Sequence, residues 1–144
     1  MNIDITTQIL GPVIALVAWT QVMWLWLYIT RIPAVKAANM KFDSNALRGD
    51  QMATLPAKVR WKADNYNHLM EQPILFYALA ISLALLGEGS GLSLTCAWIY
   101  VAIRVVHSLF QSLVNIIEIR FTLFALSNIP LFIMLYQAVK ALMA

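Results

Sequence analysis

The sequence has little of what disulfide frameworks, metal clusters and soluble domains require. Its 144 residues include a single cysteine, Cys96, and two histidines, so it can form no intrachain disulfide and no cysteine-rich metal cluster. Charged residues make up only 12% of the chain, about half the share of an ordinary soluble domain. The glycine-rich segment 87–91 has no following lysine, which argues against a phosphate-binding loop. We therefore expect neither a metal site nor a nucleotide site.

Apolar residues make up most of the chain. The chain is 61% hydrophobic, with a mean hydropathy of +0.72. A membrane-spanning helix needs about 20 apolar residues, and such runs lie near 9–29, 69–86, 92–113 and 121–139. Transmembrane strands are a poor alternative, because these runs are apolar at both odd and even positions. The sequence predicts an all-α integral membrane protein, a four-transmembrane-helix bundle forming a single domain over 1–144.

The distribution of cations predicts how the chain is oriented. No Lys or Arg precedes the first span, so we expect that its helix is retained rather than cleaved as a secretory signal. The polar segment 32–64 contains Lys36, Lys41, Arg48, Lys58, Arg60 and Lys62. By the positive-inside rule this segment and the connection 116–120 are cytoplasmic, and we expect a multi-pass protein of a bacterial inner membrane. Membrane orientation explains the net charge of +3 better than nucleic-acid binding does. A polybasic patch that binds lipid is an open alternative.

Polar side chains interrupt two of the apolar runs in helical register. On the third span, an arc of about 100° contains Arg104, His107, Ser108, Gln111, Asn115 and Glu118. A similar arc at the start of the second span contains Asp64, Asn67, His68 and Glu71. An arginine inside a membrane needs a partner, and Glu71 is the acid at comparable depth, about one helical turn from Arg104. The spacing predicts a Glu71–Arg104 ion pair, within one protomer or across an oligomer contact.

These residues also have purely structural interpretations. The ion pair could do no more than hold two helices together, His107 could be a packed histidine, and Gln111 and Asn115 could form interhelical hydrogen bonds. The functional interpretation rests on convergence toward one membrane face of Arg104, His107, Gln111, Arg120, Asn67 and His68. A cationic site that opens to the cytoplasm and borders the acyl chains suits an anionic soluble cosubstrate and a lipophilic second substrate.

Two motifs resemble a known family. His68-Leu-Met-Glu71-Gln-Pro73 is similar to the Asn-x-x-Glu-x-x-Pro signature of the MAPEG family, the membrane-associated proteins in eicosanoid and glutathione metabolism. Arg104-Val-Val-His107, followed by Arg120 at the start of the fourth span, resembles the family's downstream pattern. The resemblance covers essentially the whole chain. It implies a homotrimer of four-helix bundles, with glutathione bound between neighbouring subunits near the cytoplasmic face.

The resemblance also implies residue roles and an activity. It implies that glutathione is bound by His68, Glu71, Arg104, His107 and Gln111, and that Arg120 stabilises its thiolate. The activity it implies is that of a glutathione-dependent transferase or peroxidase acting on hydrophobic electrophiles or lipid hydroperoxides. The family also contains non-catalytic lipid-binding and adaptor proteins, which keeps that alternative open. A small transporter is less attractive, because the four spans show no evident inverted repeat.

The second span departs from the family pattern. Asp64 and Asn67 occupy positions at which glutathione-binding members carry arginine. A tripeptide with two carboxylates would then need other cationic partners, and the candidates are Arg60, Lys62 and Arg31.

Overall fold

The computed structural model describes residues 7–47 and 49–143. Arg48, one of the cations of the polar segment, lies outside the described residues. Within the described ranges the helices are α1 (Leu10–Ala37), α2 (Asp50–Ala53), α3 (Ala57–Glu71), α4 (Pro73–Leu85), α5 (Gly91–Leu113) and α6 (Ile117–Met143).

In this part of the chain, four helical segments are long and apolar enough to cross a membrane: α1, α3 with α4, α5, and α6. The segments α3 and α4 form one span, because they are separated by Gln72, whose backbone is itself helical (φ −72°, ψ −38°). Pro73 accounts for the interruption, since its ring nitrogen carries no hydrogen to donate to the carbonyl of Leu69. The predicted all-helical architecture with four spans is confirmed.

The helices extend further than the apolar runs that predict them. α1 continues past Ile29 to Ala37 and passes through Pro33, while α3 begins at Ala57, well inside the segment predicted as a polar loop. Pro33 therefore lies inside α1 and does not end it. Hydropathy marks the part of a helix that lipid can surround, whereas backbone hydrogen bonding continues wherever water can solvate the side chains. The end of the bundle at which α1 and α5 end and α3 and α6 begin is called the polar end below.

α5 is the central helix of the bundle. In the most apolar 18-residue stretch of α5, 44% of the residues are buried, whereas the corresponding stretches of the other spans are 22% to 28% buried. The turn between α4 and α5 is tight because Gly87 (φ 79°) and Gly91 (φ 55°) adopt left-handed conformations, which glycine adopts without steric cost. α5 therefore runs antiparallel to α4, and its polar residues face the interior of the bundle.

Candidate functional site

A stripe of polar side chains on α5 is buried inside the bundle. The buried polar residues of this helix are Ser93, Arg104, His107, Ser108, Gln111 and Ser112. Arg104 has no exposed surface, and His107 and Gln111 are 2% exposed. The predicted stripe is confirmed over this stretch, where helical periodicity brings positions three and four residues apart onto one face.

The stripe ends with the helix. α5 stops at Leu113, and Asn115 lies beyond it in a left-handed conformation (φ 60°). Glu118 is exposed in the first turn of α6. The prediction that Asn115 and Glu118 continue the stripe was wrong, because a helical register applies only while the helix continues.

Arg104 contacts His68 rather than an acid. Its Nη2 donates to the backbone carbonyl of His68 at 3.3 Å, and its Nη1 lies 3.3 Å from His68 Nε2. Because a guanidinium carries donors and no acceptor, Nε2 is the accepting nitrogen, which leaves the imidazole proton on Nδ1. The buried cation is thus bound by two neutral acceptors on α3.

Glu71 does not meet Arg104 within the chain. The buried face of α3 is set by Asn65 and Leu69, which are 0% and 1% exposed. Glu71 follows Leu69 by two positions, about 200° around the helix, and its side chain is exposed. The predicted ion pair within one protomer was therefore wrong. The pair across an oligomer contact stays a prediction.

Several polar contacts were not anticipated from the sequence. Asn65 Nδ2 donates to Ser108 Oγ at 2.7 Å, which joins α3 to α5 inside the bundle. The hydroxyl of Tyr100 donates to Gln72 Oε1, and Gln72 Nε2 in turn donates to Asn128 Oδ1 at 3.5 Å. Amide and hydroxyl groups thus link α5, the interruption between α3 and α4, and α6.

A sequence signal for two of these residues was present. Asn65, Leu69, Gln72 and Phe76 follow one another at intervals of four, three and four positions, the spacing of a single helix face. That face is the buried one, whereas Asp64, Asn67 and Glu71 of the predicted polar arc are exposed. Tyr100 and Asn128 are isolated polar residues in apolar runs and gave no comparable signal.

The main candidate site is a cavity at the polar end between α3, α5 and α6. Its volume is about 350 Å³, and it is lined by His68, His107, Ile117, Arg120, Phe121 and Phe124. The rings of His68 and His107 lie 5.0 Å apart, and that of Phe124 is 5.5 Å from His68. The cavity therefore combines two imidazoles and a guanidinium with aromatic walls.

Asn115 holds Arg120 at this cavity. Its Oδ1 accepts from Arg120 Nη1 at 2.6 Å, which leaves the other guanidinium nitrogens without a partner among the described residues, including a buried Nε. A fixed guanidinium with unused donors is suited to bind an anion.

A second cavity at the polar end contains two of the proposed substitute cations. It has a volume of about 430 Å³, and its polar lining residues are Arg31, Arg60, Asp64 and Asn67. Lys62 does not line it, because its Nζ donates to the Lys58 carbonyl at 2.7 Å and lies 5.3 Å from the Trp26 ring. Arg31 and Arg60 are thus available together to a carboxylated ligand.

The predicted site residues therefore fall into three groups. His68, His107 and Arg120 line one cavity. Arg104 does not line it but contacts His68, which does. Gln111 is buried but is not in the lining of the cavity, and its Oε1 has no hydrogen-bond partner among the described residues. Glu71 faces outward. No group of three or more residues that could hold a metal ion occurs among the described residues.

The fold and the polar site define an integral, multi-pass membrane protein with a polar cavity at one end of its helix bundle. In comparisons with protein families, the MAPEG family matches residues 9–140. The chain belongs to the MAPEG family. Searches of curated proteins and of solved structures found no match.

Proposed function

We propose that the protein is a glutathione-dependent transferase or peroxidase that acts on hydrophobic electrophiles or lipid hydroperoxides at the membrane interface. Membership of a family that includes such enzymes supports this proposal. The observation that carries it is the cavity in which Arg120 meets His68 and His107 against phenylalanine walls. The polar end then faces the cytoplasm, from which glutathione enters.

Arg120 is the catalytic residue of this proposal. A free thiol has a pKa of about 8.5, and a nearby positive charge lowers it toward neutrality. The guanidinium is always charged, and Asn115 holds it at the cavity. The thiolate sulfur attacks the electrophilic carbon of the second substrate and forms a carbon–sulfur bond, while the leaving group departs with the bonding electron pair. His107 orients glutathione.

The apolar walls suit the second substrate. Phe121 is 69% exposed and lines the cavity together with Phe124. A lipophilic molecule can therefore reach the site from the bilayer while the thiolate stays beside the cation. This arrangement supports conjugation at the interface rather than in water.

The rest of glutathione needs a neighbouring subunit. Arg31 and Arg60 line a cavity separate from that of Arg120, and Glu71 is exposed and pairs with none of the described residues. A charged residue in a membrane span faces protein or water. In the homotrimer proposed here, Arg31 and Arg60 of one subunit bind the glutathione carboxylates and Glu71 binds its ammonium group. Arg120 of the next subunit meets the sulfur.

A non-catalytic lipid-binding or adaptor function is the second candidate. It is favoured by an apolar groove of about 260 Å³ between α4 and α6, whose lining residues are Leu75, Ala78, Leu79, Asn128, Leu131, Phe132 and Leu135. Its single polar side chain is already occupied, because Asn128 Nδ2 donates to the Phe124 carbonyl at 2.8 Å. Such a groove can hold an acyl chain but offers no group that could catalyse a reaction.

Glutathione binding separates the two functions. Detergent-purified protein is titrated with glutathione in a calorimeter, its thiolate is followed by ultraviolet absorbance, and turnover of an electrophilic aromatic substrate is measured. We expect binding at millimolar glutathione and a thiolate signal. Arg120→Ala should abolish that signal and reduce turnover by about 100-fold or more, whereas Lys140→Ala, at the other end of α6, should change neither.

The outcomes are distinct. The absence of binding at millimolar glutathione would exclude the enzyme. Full activity of Arg120→Ala would show that another arginine activates the thiol. Specific lipid retention that survives the loss of Arg120, in protein that does not bind glutathione, would establish the non-catalytic function instead.

A further inference from the structure

A third cavity lies where α1 leaves its apolar stretch. It has a volume of about 620 Å³, and its lining residues are Tyr28, Arg31, Ile32, Val35, Lys36, Asn39, Met40, Phe42 and Met52. It shares only Arg31 and Met52 with the cavity around Arg60. Asn39 turns the chain in a left-handed conformation (φ 48°), and the Met40 backbone N–H donates to the Val35 carbonyl at 3.3 Å. The segment after α1 thereby folds back to form one wall.

The charge of this cavity is uncompensated. Arg31 and Lys36 line it, and no acidic residue is among its described lining residues. Neither cation forms an ion pair with a described residue, and Arg31 Nε is buried without a hydrogen-bond partner. Buried polar groups in native proteins are nearly always hydrogen-bonded. The cavity therefore offers cationic donors to an acceptor that the described part of the chain does not supply.

The walls of the cavity place it at the level of lipid headgroups. Tyr28, Ile32 and Phe42 are 42%, 50% and 67% exposed, so the apolar wall opens outward. The ring of Trp24 lies 5.0 Å from that of Tyr28, and such aromatic pairs are enriched at membrane–water interfaces. The cations lie just beyond this aromatic level, on the side of the polar end.

Two features together restrict the chemistry of the ligand. A soluble anion would leave the exposed apolar wall uncovered, whereas a zwitterionic lipid would bring a positive group to two cations that already lack acceptors. An anionic phospholipid satisfies both, because its phosphate accepts from the cations and an acyl chain covers the apolar wall.

We propose that this cavity is a binding site for an anionic phospholipid of the surrounding leaflet, with the phosphate between Arg31 and Lys36 and an acyl chain along Tyr28 and Ile32. The bound lipid holds the end of α1 and the returning segment together. Arg31 is also proposed above to bind glutathione, so the two sites share that residue, and Lys36, which lines only this cavity, distinguishes the lipid site from the glutathione site.

The test uses the full-length protein in zwitterionic detergent. Phosphatidylglycerol, phosphatidylcholine and glycerol 3-phosphate are added in turn, and binding is followed by native mass spectrometry and by the shift in Tm. We expect phosphatidylglycerol to bind and raise Tm, while the other two do neither. The double variant R31Q/K36Q should bind phosphatidylglycerol about 25-fold more weakly, because each cation near an anionic lipid contributes about fivefold.

Matched variants separate the cavity from general charge. K41Q/K58Q removes the same charge from exposed residues of the polar end that do not line the cavity, and it should keep nearly all of the binding. K36Q alters a residue that lines this cavity but not that of Arg60, and it should weaken lipid binding about fivefold without changing glutathione affinity. The charge-preserving R31K/K36R should retain binding.

Three results would overturn the proposal. One is equal binding of phosphatidylcholine and phosphatidylglycerol. Another is glycerol 3-phosphate binding as tightly as the lipid, which would make the ligand a soluble anion. The third is equal loss in R31Q/K36Q and K41Q/K58Q. If R31Q/K36Q does not fold, the phosphatidylglycerol affinities of K36Q and R31K/K36R are compared instead. Equal affinities of these two variants would overturn the proposal.

Discussion

At the scale of single residues, Arg104 illustrates how a bundle accommodates a buried cation without an acid. The His68 carbonyl accepts from Arg104 Nη2 at 3.3 Å and from the Gln72 backbone N–H at a longer 3.4 Å. A carbonyl oxygen has two lone pairs, so it can serve both donors. The interruption of the helix at Pro73 weakens backbone hydrogen bonding at this point. The interruption of the helix and the buried Arg104 are thus connected through the His68 carbonyl.

Replacing Arg104 by lysine tests this arrangement. A lysine ammonium keeps the charge but cannot match the planar fork that reaches both acceptors. We expect Arg104→Lys to lower the free energy of unfolding by about 1.5 to 3 kcal/mol, the value of one hydrogen bond to a charged group. The measurement is reversible unfolding in mixed micelles.

The control for this prediction is Val106→Ala, which shortens an exposed side chain of the same helix and should cost less. His68→Ala should cost at least as much as Arg104→Lys, because it removes the imidazole acceptor and leaves the Arg104 Nη1 donor without it, while the carbonyl stays in place. Equal stability of Arg104→Lys and the unmodified protein would show that the two contacts are not both made in the membrane.

At the scale of helices, α5 holds the other spans through its polar stripe. Lipid chains are as apolar as leucine, so apolar side chains alone give little preference for packing between helices. Hydrogen bonds across the interface supply that preference. Ser108 accepts from Asn65 at 2.7 Å, whereas the Ser112 hydroxyl, one turn further along, is buried and has no partner in the described ranges. The two serines are therefore not equivalent.

This difference predicts opposite effects of one substitution. Ser108→Ala leaves the Asn65 side chain without its partner and should lower the free energy of unfolding by about 1 kcal/mol. Ser112→Ala removes an unsatisfied buried hydroxyl and should be neutral or stabilising. Unfolding of both variants in mixed micelles measures the contrast, and a double-mutant cycle with Asn65→Ala assigns it to the pair. Equal losses at the two positions would contradict the assignment.

At the scale of the whole molecule, the outward face of α3 exposes a charged residue that has no partner among the described residues of a single chain. Glu71 is exposed in a helix that crosses the membrane, and an isolated charge facing lipid is costly. Another subunit, a ligand or water must therefore surround it. This is the feature of the chain that most directly supports an oligomer.

Glu71→Gln tests that interpretation. Because Glu71 makes no ion pair with any residue that the structure describes, the substitution should leave the unfolding of the monomer unchanged. We expect it to weaken subunit association, measured as the oligomer mass in detergent over a dilution series, and to weaken glutathione binding. Glu88→Gln, which alters an exposed acid at the opposite end of the bundle, is the matched control. An unchanged oligomer with unchanged glutathione affinity would show that Glu71 has neither role.

Periodicity predicted the α5 stripe correctly but misassigned the inner face of α3, and the reason lies in the solvent. In water, the apolar side of a helix identifies the side that faces the core. In a membrane, lipid and core are equally apolar, so apolar residues do not identify the core side, and the polar arc alone predicts the inner face of α3. The arc that contains Asp64, Asn67 and Glu71 is exposed, whereas the less conspicuous Asn65 and Gln72 face α5.

The four helical membrane spans and the polar face of α5 are predictable from the sequence, because hydropathy and helical period are local properties of the chain. The contact of Arg104 with His68 rather than Glu71, and the meeting of Arg120 with His68 and His107 at one cavity, are visible in the folded bundle alone. Those contacts depend on how α3 and α6 are rotated against α5. Packing between distant segments sets that rotation, and no single helix encodes it.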